Sequence, residues 1–166
     1  FFPPFEILRP IPPLAWVPAS IVFWPTTEMS IAFVTFLGAF FTIVINVLGG
    51  ARSIDVRYLR AAQSMGASQW DLFYRIILPG TLPSIFTGAA VGMGITWEVV
   101  LAGEMISGGG GQQASGGLGF FIWSSYMGGT VATVIVGMIS IGIAGYLSSS
   151  LIRVIGEHSM PWRKLF

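Results

Sequence analysis

The chain has 166 residues, 54% of them hydrophobic and 9% charged, with 22 glycines, no cysteine, a net charge of +1 and a mean hydropathy of +0.78. A soluble domain carries about 25% charged residues, so this composition excludes a water-covered globular fold and defines a membrane protein. The near-zero net charge argues against a nucleic-acid-binding face, and the lack of cysteine excludes disulfides, thiolate metal sites and a cysteine nucleophile.

Charge-free intervals place the elements in chain order. There are 18 uncharged residues between Arg9 and Glu28, 23 between Glu28 and Arg52, 22 between Arg75 and Glu98, and 48 between Glu104 and Arg153. A helix crossing a bilayer needs about 20 apolar residues. The first interval is interrupted by Pro10, Pro12, Pro13, Pro18 and Pro25, which predicts a short or kinked helix over about 14–24. The second predicts a span over about 29–48, and the last a span over about 130–152. The third begins with Leu78-Pro79-Gly80-Thr81-Leu82-Pro83, so its span is expected over about 84–105, with Glu98 and Glu104 inside it. The result is an all-α polytopic membrane protein in a single transmembrane domain, 1–166. Phe1 is not an initiator methionine, and Phe-Phe-Pro-Pro lacks the basic start and cleavage site of a signal peptide. The chain is therefore expected to be a fragment whose N-terminal helices are missing.

Alternating these four spans gathers all eight Lys and Arg residues on one side: Arg9, the segment from Arg52 to Arg75, and the tail from Arg153 to Lys164. The positive-inside rule makes that side cytoplasmic. The opposite side then holds the turn at Pro25 to Glu28 and an outer loop, 107–129. That loop contains a glycine- and glutamine-rich stretch, flexible by composition. The apolar run Phe120 to Tyr126 follows, too short to span and suited to the interface.

The cytoplasmic loop, 52–83, is patterned as two helices, Ser53 to Met65 and Ser68 to Leu78, with a break at Gly66 and a stop at Pro79. Ser68 and Asp71 have capping-box spacing. Trp70, Phe73, Tyr74 and Ile77 recur at i, i+3, i+4 and i+7 as one apolar face. On pattern alone, the simplest reading is an amphipathic helix on the inner leaflet.

The residues themselves carry more. Arg60-Ala61-Ala62, then Gly66, then Ile76, Leu78 and Pro79 keep every spacing of the Glu-Ala-Ala signature loop of binding-protein-dependent ABC transporter permeases, and only Arg60 departs from it. Pro10 to Pro18, Asn46 before Gly49, Gly66-Ala67-Ser68, Leu82-Pro83, Trp97, Glu104 and Gly117-Leu118-Gly119 resemble the nitrate, taurine and alkanesulfonate branch. Phe120-Phe121-Ile122-Trp123 leans towards its nitrate and bicarbonate members. Glu98 and the insertion Gly108 to Ser115 are further departures.

The resemblance implies a permease subunit of an ATP-driven importer in the bacterial inner membrane, with a helical bundle and cytoplasmic coupling helices. Its implied cargo is a small solute, nitrate-, bicarbonate- or sulfonate-like. The implied partners are an ABC ATPase, a second permease copy in a homodimer, and an extracytoplasmic solute-binding protein. Residues 60–62, Gly66, Trp70, Phe73, Tyr74, Ile76, Leu78 and Pro79 would seat in the ATPase. Asn46, Trp97, Glu98 and Glu104 are the pathway candidates, although an interhelical hydrogen bond is the simpler role for Asn46. Glu98 shares a stripe with Gly94, Ala90 and Thr87 and is expected to point into the bundle.

No catalytic set, cofactor site or metal site is read in this chain. The single lysine, Lys164, follows no phosphate-binding loop, so ATP would be bound and hydrolysed by the partner chain. His158 has no second ligand spaced beside it. Gly88-x-x-x-Gly92 and the stripe Ser140, Ala144, Ser148 are expected to pack helices. The alternative function is a secondary transporter or channel subunit not coupled to ATP, which usually shows internal repeats that are not found at this length.

Overall fold

The computed structural model describes residues 7, 8, 10–106 and 117–161. Among these residues the chain is helical without strands: α1 (Pro13–Phe23), α2 (Thr27–Arg52), α3 (Val56–Ser64), α4 (Gln69–Ile106), α5 (Leu118–Met127) and α6 (Val131–Ser159). The all-α membrane architecture expected from composition is the one observed. Helices α2, α4 and α6, of 26, 38 and 29 residues, are long and apolar enough to cross a membrane. Helix α1 is different. It joins a four-residue 3-10 turn to seven α-helical residues and rises about 18 Å, short of a hydrocarbon core of about 30 Å.

Helix α2 runs beyond the expected 29–48 at both ends, with Glu28 in its first turn and Arg52 in its last. Both charges complement the helix dipole. Helix α6 likewise continues seven residues past 152, through Arg153 to Ser159.

The largest departure from the sequence pattern is at Pro79, where a helix stop was expected. No stop is present: α4 opens with an α-helical turn, Gln69–Leu72, widens into a π-helical segment, Phe73–Ile77, and resumes α geometry at Leu78. Proline breaks an α-helix because it lacks an N–H and its ring meets the carbonyl four residues back. Here the Leu78 N–H reaches back five residues to the Phe73 carbonyl, and the widened turn takes up an extra residue just ahead of the ring. Pro83 lies further along inside the helix.

Packing divides the chain into two compact units, Phe1–Phe41 with Gly92–Ser148 and Thr42–Val91 with Ser149–Phe166. The first has its core at Val17, Val34 and Val99, with Trp16, Phe33 and Ile95 around them. Buried serines tie α1 to the start of α2: the Ser30 hydroxyl donates to the Ser20 carbonyl at 3.0 Å, and the Ser20 hydroxyl to the Val17 carbonyl at 2.8 Å. Gly103 faces Ile31 closely, at 3.1 Å from the position a Cβ would take.

In the second unit α2 and α4 meet through small residues. A Cβ at Gly88 would lie 2.8 Å from the Asn46 Cβ, and one at Gly50 would overlap the Ser84 side chain. Gly88 and Gly92 are both buried, so Gly88 does let helices approach, as its spacing predicts.

Candidate functional site

The segment from Asp55 to Pro79 is built by local signals that each satisfy a helix end. Asp55 caps α3, its carboxylate accepting from the Arg57 N–H at 2.8 Å. At the other end the Gly66 N–H donates to the Gln63 carbonyl at 2.9 Å and the Ala67 N–H to the Ala62 carbonyl at 3.1 Å. These two bonds form a Schellman closure around Gly66, whose φ of +82° is the left-handed value that favours glycine. Two residues later Ser68 and Asp71 close the expected capping box: the Ser68 hydroxyl accepts from the Asp71 N–H, and the Asp71 carboxylate accepts from the Ser68 N–H, both at 3.2 Å. Arg75 approaches the same carboxylate at 3.4 Å, one turn on.

This frame presents an aromatic cluster to the outside of the chain. Trp70 and Tyr74 stack with ring centroids 6.0 Å apart, and Phe73 meets Tyr74 edge-on at 5.2 Å. Trp70 is 71% exposed, Phe73 42% and Tyr74 59%, whereas Leu72 between them is 4% exposed. Leu72 therefore fixes the helix to its own unit, a role the aromatic periodicity does not reveal. Ile77, expected on the aromatic face, is half-buried, as are Ile76, Leu78 and Pro79. The α-helical wheel fails for Ile77 because the π segment changes the angular step after Leu72. Of the signature triplet, Arg60 and Ala61 are exposed and Ala62 is buried.

Of the four pathway candidates Asn46 belongs to the second unit and Trp97, Glu98 and Glu104 to the first, and three of them have identifiable partners. The Asn46 side chain donates to the Thr42 carbonyl of its own helix at 2.9 Å and lies against Gly88. The expected interhelical bond is thus replaced by a bond within α2. The Trp97 indole N–H donates to the Ser148 hydroxyl at 3.0 Å, which binds α4 to the small-residue stripe of α6. Glu98 is exposed, and the Gly94 position beside it opens on free space. Its expected inward orientation is not observed in this chain. In the part of α4 after residue 91 the buried residues are Gly92, Val99 and Gly103, and Glu98 lies about 100° from Val99 around the helix.

Glu104 has a defined task. Its carboxylate accepts from the Gly119 N–H at 2.7 Å, at the start of α5, whose N-cap Gly117 supplies no side-chain bond. A carboxylate from α4 therefore caps α5 and complements its dipole. Gly117 and Gly119 make room for it: a Cβ at Gly117 would overlap the carboxylate, and one at Gly119 would overlap the Leu101 carbonyl oxygen. Beyond the cap, Ile122 of α5 fills the place a Cβ at Gly137 would take, and the Thr130 N–H and hydroxyl both donate to the Ser125 carbonyl at 3.0 Å. The insertion Gly108 to Ser115 lies outside the described residues. Among the described residues no group of three His, Cys, Asp or Glu side chains is placed to hold a metal.

Three apolar helices of membrane-spanning length, two of them joined by a capped amphipathic segment, define a polytopic helical membrane protein. The chain belongs to the family described as binding-protein-dependent transport system inner membrane component, whose pattern it matches over residues 1–164. It is 39% identical over 160 residues to MJ0413 of Methanocaldococcus jannaschii, provisionally designated an ABC transporter permease, covering 96% of this chain and 58% of that protein. It is 36% identical over 159 residues to the nitrate import permease protein NrtB of Leptolyngbya laminosa, covering 96% and 55%. To the taurine transport system permease protein TauC of Escherichia coli it is 35% identical over 162 residues, covering 96% and 56%. The chain thus spans a little over half the length of these relatives.

Proposed function

We propose that this chain forms the pathway-building part of an ABC importer permease, moving a small anionic solute of the nitrate or sulfonate kind with a separate ATPase and an extracytoplasmic binding protein. It contributes no ATP chemistry itself. In this reading the basic side, with Arg52, Arg57, Arg60, Arg75 and Arg153, faces the cytoplasm, and a second permease subunit completes the pathway.

One observation carries the coupling role. The Trp70, Phe73 and Tyr74 cluster is exposed on a helix that is capped at its start and continuous with a membrane-length helix. Aromatic side chains of this type are the usual anchors of protein interfaces. An inner-leaflet helix needs an apolar face too, but the Gly66 closure and the capping box fix this one at a defined angle, which supports a rigid partner. The test is retention of the ATPase subunit on the detergent-solubilised permease. Phe73→Ala and Trp70→Ala each remove an anchor worth about 2 kcal/mol, so each should weaken retention about 30-fold while leaving membrane insertion intact. Unchanged retention in both variants favours the inner-leaflet role instead.

A further inference from the structure

Within the second unit, α4 and α6 enclose an open groove of about 260 Å³ lined by Phe86, Ala90 and Val91 on one wall and Arg153, Glu157 and Met160 on the other. Its floor is apolar, with the Phe86 ring packed onto the buried Gly156, 2.8 Å from where a Cβ would stand. Its rim carries one cation and one anion. Arg153 is the first charged residue after 48 uncharged ones, so the rim marks the place where the apolar stretch meets water, and the Ala90–Val91 end lies on the hydrocarbon side. Arg153 and Glu157 are both exposed, and among the described residues neither forms an ion pair with the other or with any third group. Residues four apart on a helix hold their Cβ atoms about 5–6 Å apart.

We infer that this groove binds one zwitterionic phospholipid with a primary ammonium headgroup, of the phosphatidylethanolamine type. The Arg153 guanidinium donates paired hydrogen bonds to the phosphate. The ammonium, two carbons from the phosphate oxygen, reaches the Glu157 carboxylate one turn on. An acyl chain lies along Phe86, Ala90 and Val91. The opposite charges at the rim select this headgroup over an anionic one, because a glycerol headgroup offers Glu157 no cation. The site depends on the membrane character of the chain and not on its transport partners, so its failure and that of the importer reading are independent.

The test uses the full chain, purified in mild detergent after equilibration in bilayers of equal phosphatidylethanolamine and phosphatidylglycerol, with retained lipid counted and identified by native mass spectrometry. The wild-type chain should retain one phosphatidylethanolamine in preference to phosphatidylglycerol. R153Q should lower total retained phospholipid about fivefold, and R153K should restore much of it. E157Q should keep the lipid but abolish the headgroup preference. V91W, which fills the groove and leaves both charges, should expel the lipid and thereby guards against a folding defect in R153Q. Unchanged retention in R153Q and V91W overturns the proposal, as does a preference for phosphatidylglycerol in the wild-type chain. A photo-crosslinker at Val91 that captures protein, either a second copy or another segment of the permease, also overturns it.

Discussion

The bond between Glu104 and the start of α5 offers the most direct test of how this chain holds its parts. A 10-residue helix, Leu118–Met127, is too short to persist alone in water, so its order comes from what clamps it. Glu104 supplies a charge-assisted hydrogen bond of 2.7 Å to the Gly119 N–H, a contact worth about 1.5–3 kcal/mol, with up to about 1 kcal/mol more from the helix dipole. Glu104→Ala should therefore cost about 2 kcal/mol of local stability and raise the opening of the first turn of α5 about 30-fold. Hydrogen exchange of the amides of residues 118–122, measured in nanodiscs, reads this directly. Glu104→Gln keeps an oxygen acceptor of the same shape and should raise exchange less than about fivefold, since most of the bond survives the loss of charge. Gly119→Ala should cost at least as much as Glu104→Ala, because its Cβ meets the backbone carbonyl of Leu101 as well as the carboxylate. Wild-type exchange rates in Glu104→Ala would refute the capping role, and equal losses in the Ala and Gln variants would show that charge, not the bond, does the holding.

Three further outcomes follow from the geometry. Gly66→Val forces a β-branched residue to a φ of +82° and should cost about 1–2 kcal/mol, lowering ATPase retention through the tilt of the Trp70 helix without unfolding α2 or α6. Gly88→Val places side-chain atoms against Asn46 and the Ile43 backbone; overpacking of about 1–3 kcal/mol should appear as a lower thermal midpoint in detergent, with Gly94→Val, which meets open space, as the neutral control. Single cysteines at Ser64 and Ser124, both exposed, should react with an impermeant thiol reagent in intact cells only at Ser124, and labelling of Ser64 before lysis would reverse the orientation.

The parts of this structure legible in the sequence are those governed by composition and by local chemistry. Charge-free intervals located α2, α4 and α6 because burying a charge in hydrocarbon is costly whatever the tertiary context. The capping box at Ser68 and the left-handed turn at Gly66 were legible because they are closed by residues a few positions apart. Contacts closed by residues distant in sequence were not. Glu104 with Gly119, Trp97 with Ser148 and Leu72 with its own unit depend on which face of each helix is packed, and helices that are apolar all round carry no moment to announce that face. Glu98 shows the same limit. Its stripe of small neighbours suggests a packed face, and Ala90 on it is buried, but Gly94 opens on free space and Glu98 is exposed, while the buried residues beyond 91 are Gly92, Val99 and Gly103.

Pro79 shows how a local rule is met without its usual consequence. Read as a stop, it separates the aromatic helix from the following span by a flexible joint, and a push on Trp70 would be absorbed there. The π-helical segment removes that joint. By letting the Leu78 N–H pair with the Phe73 carbonyl, it supplies a hydrogen bond in the turn just before the missing proline donor and keeps the helical path unbroken from Gln69 to Ile106. Such segments are less stable than α-helix and are retained mostly where function uses them. Here the one-residue excess also resets the angle of Trp70 and Tyr74 relative to everything after Leu78, by about 100° compared with an uninterrupted α-helix. The same feature that lets a proline stand inside the helix thus decides which way the aromatic cluster faces, and so the direction from which the ATPase of the proposed importer would have to approach it.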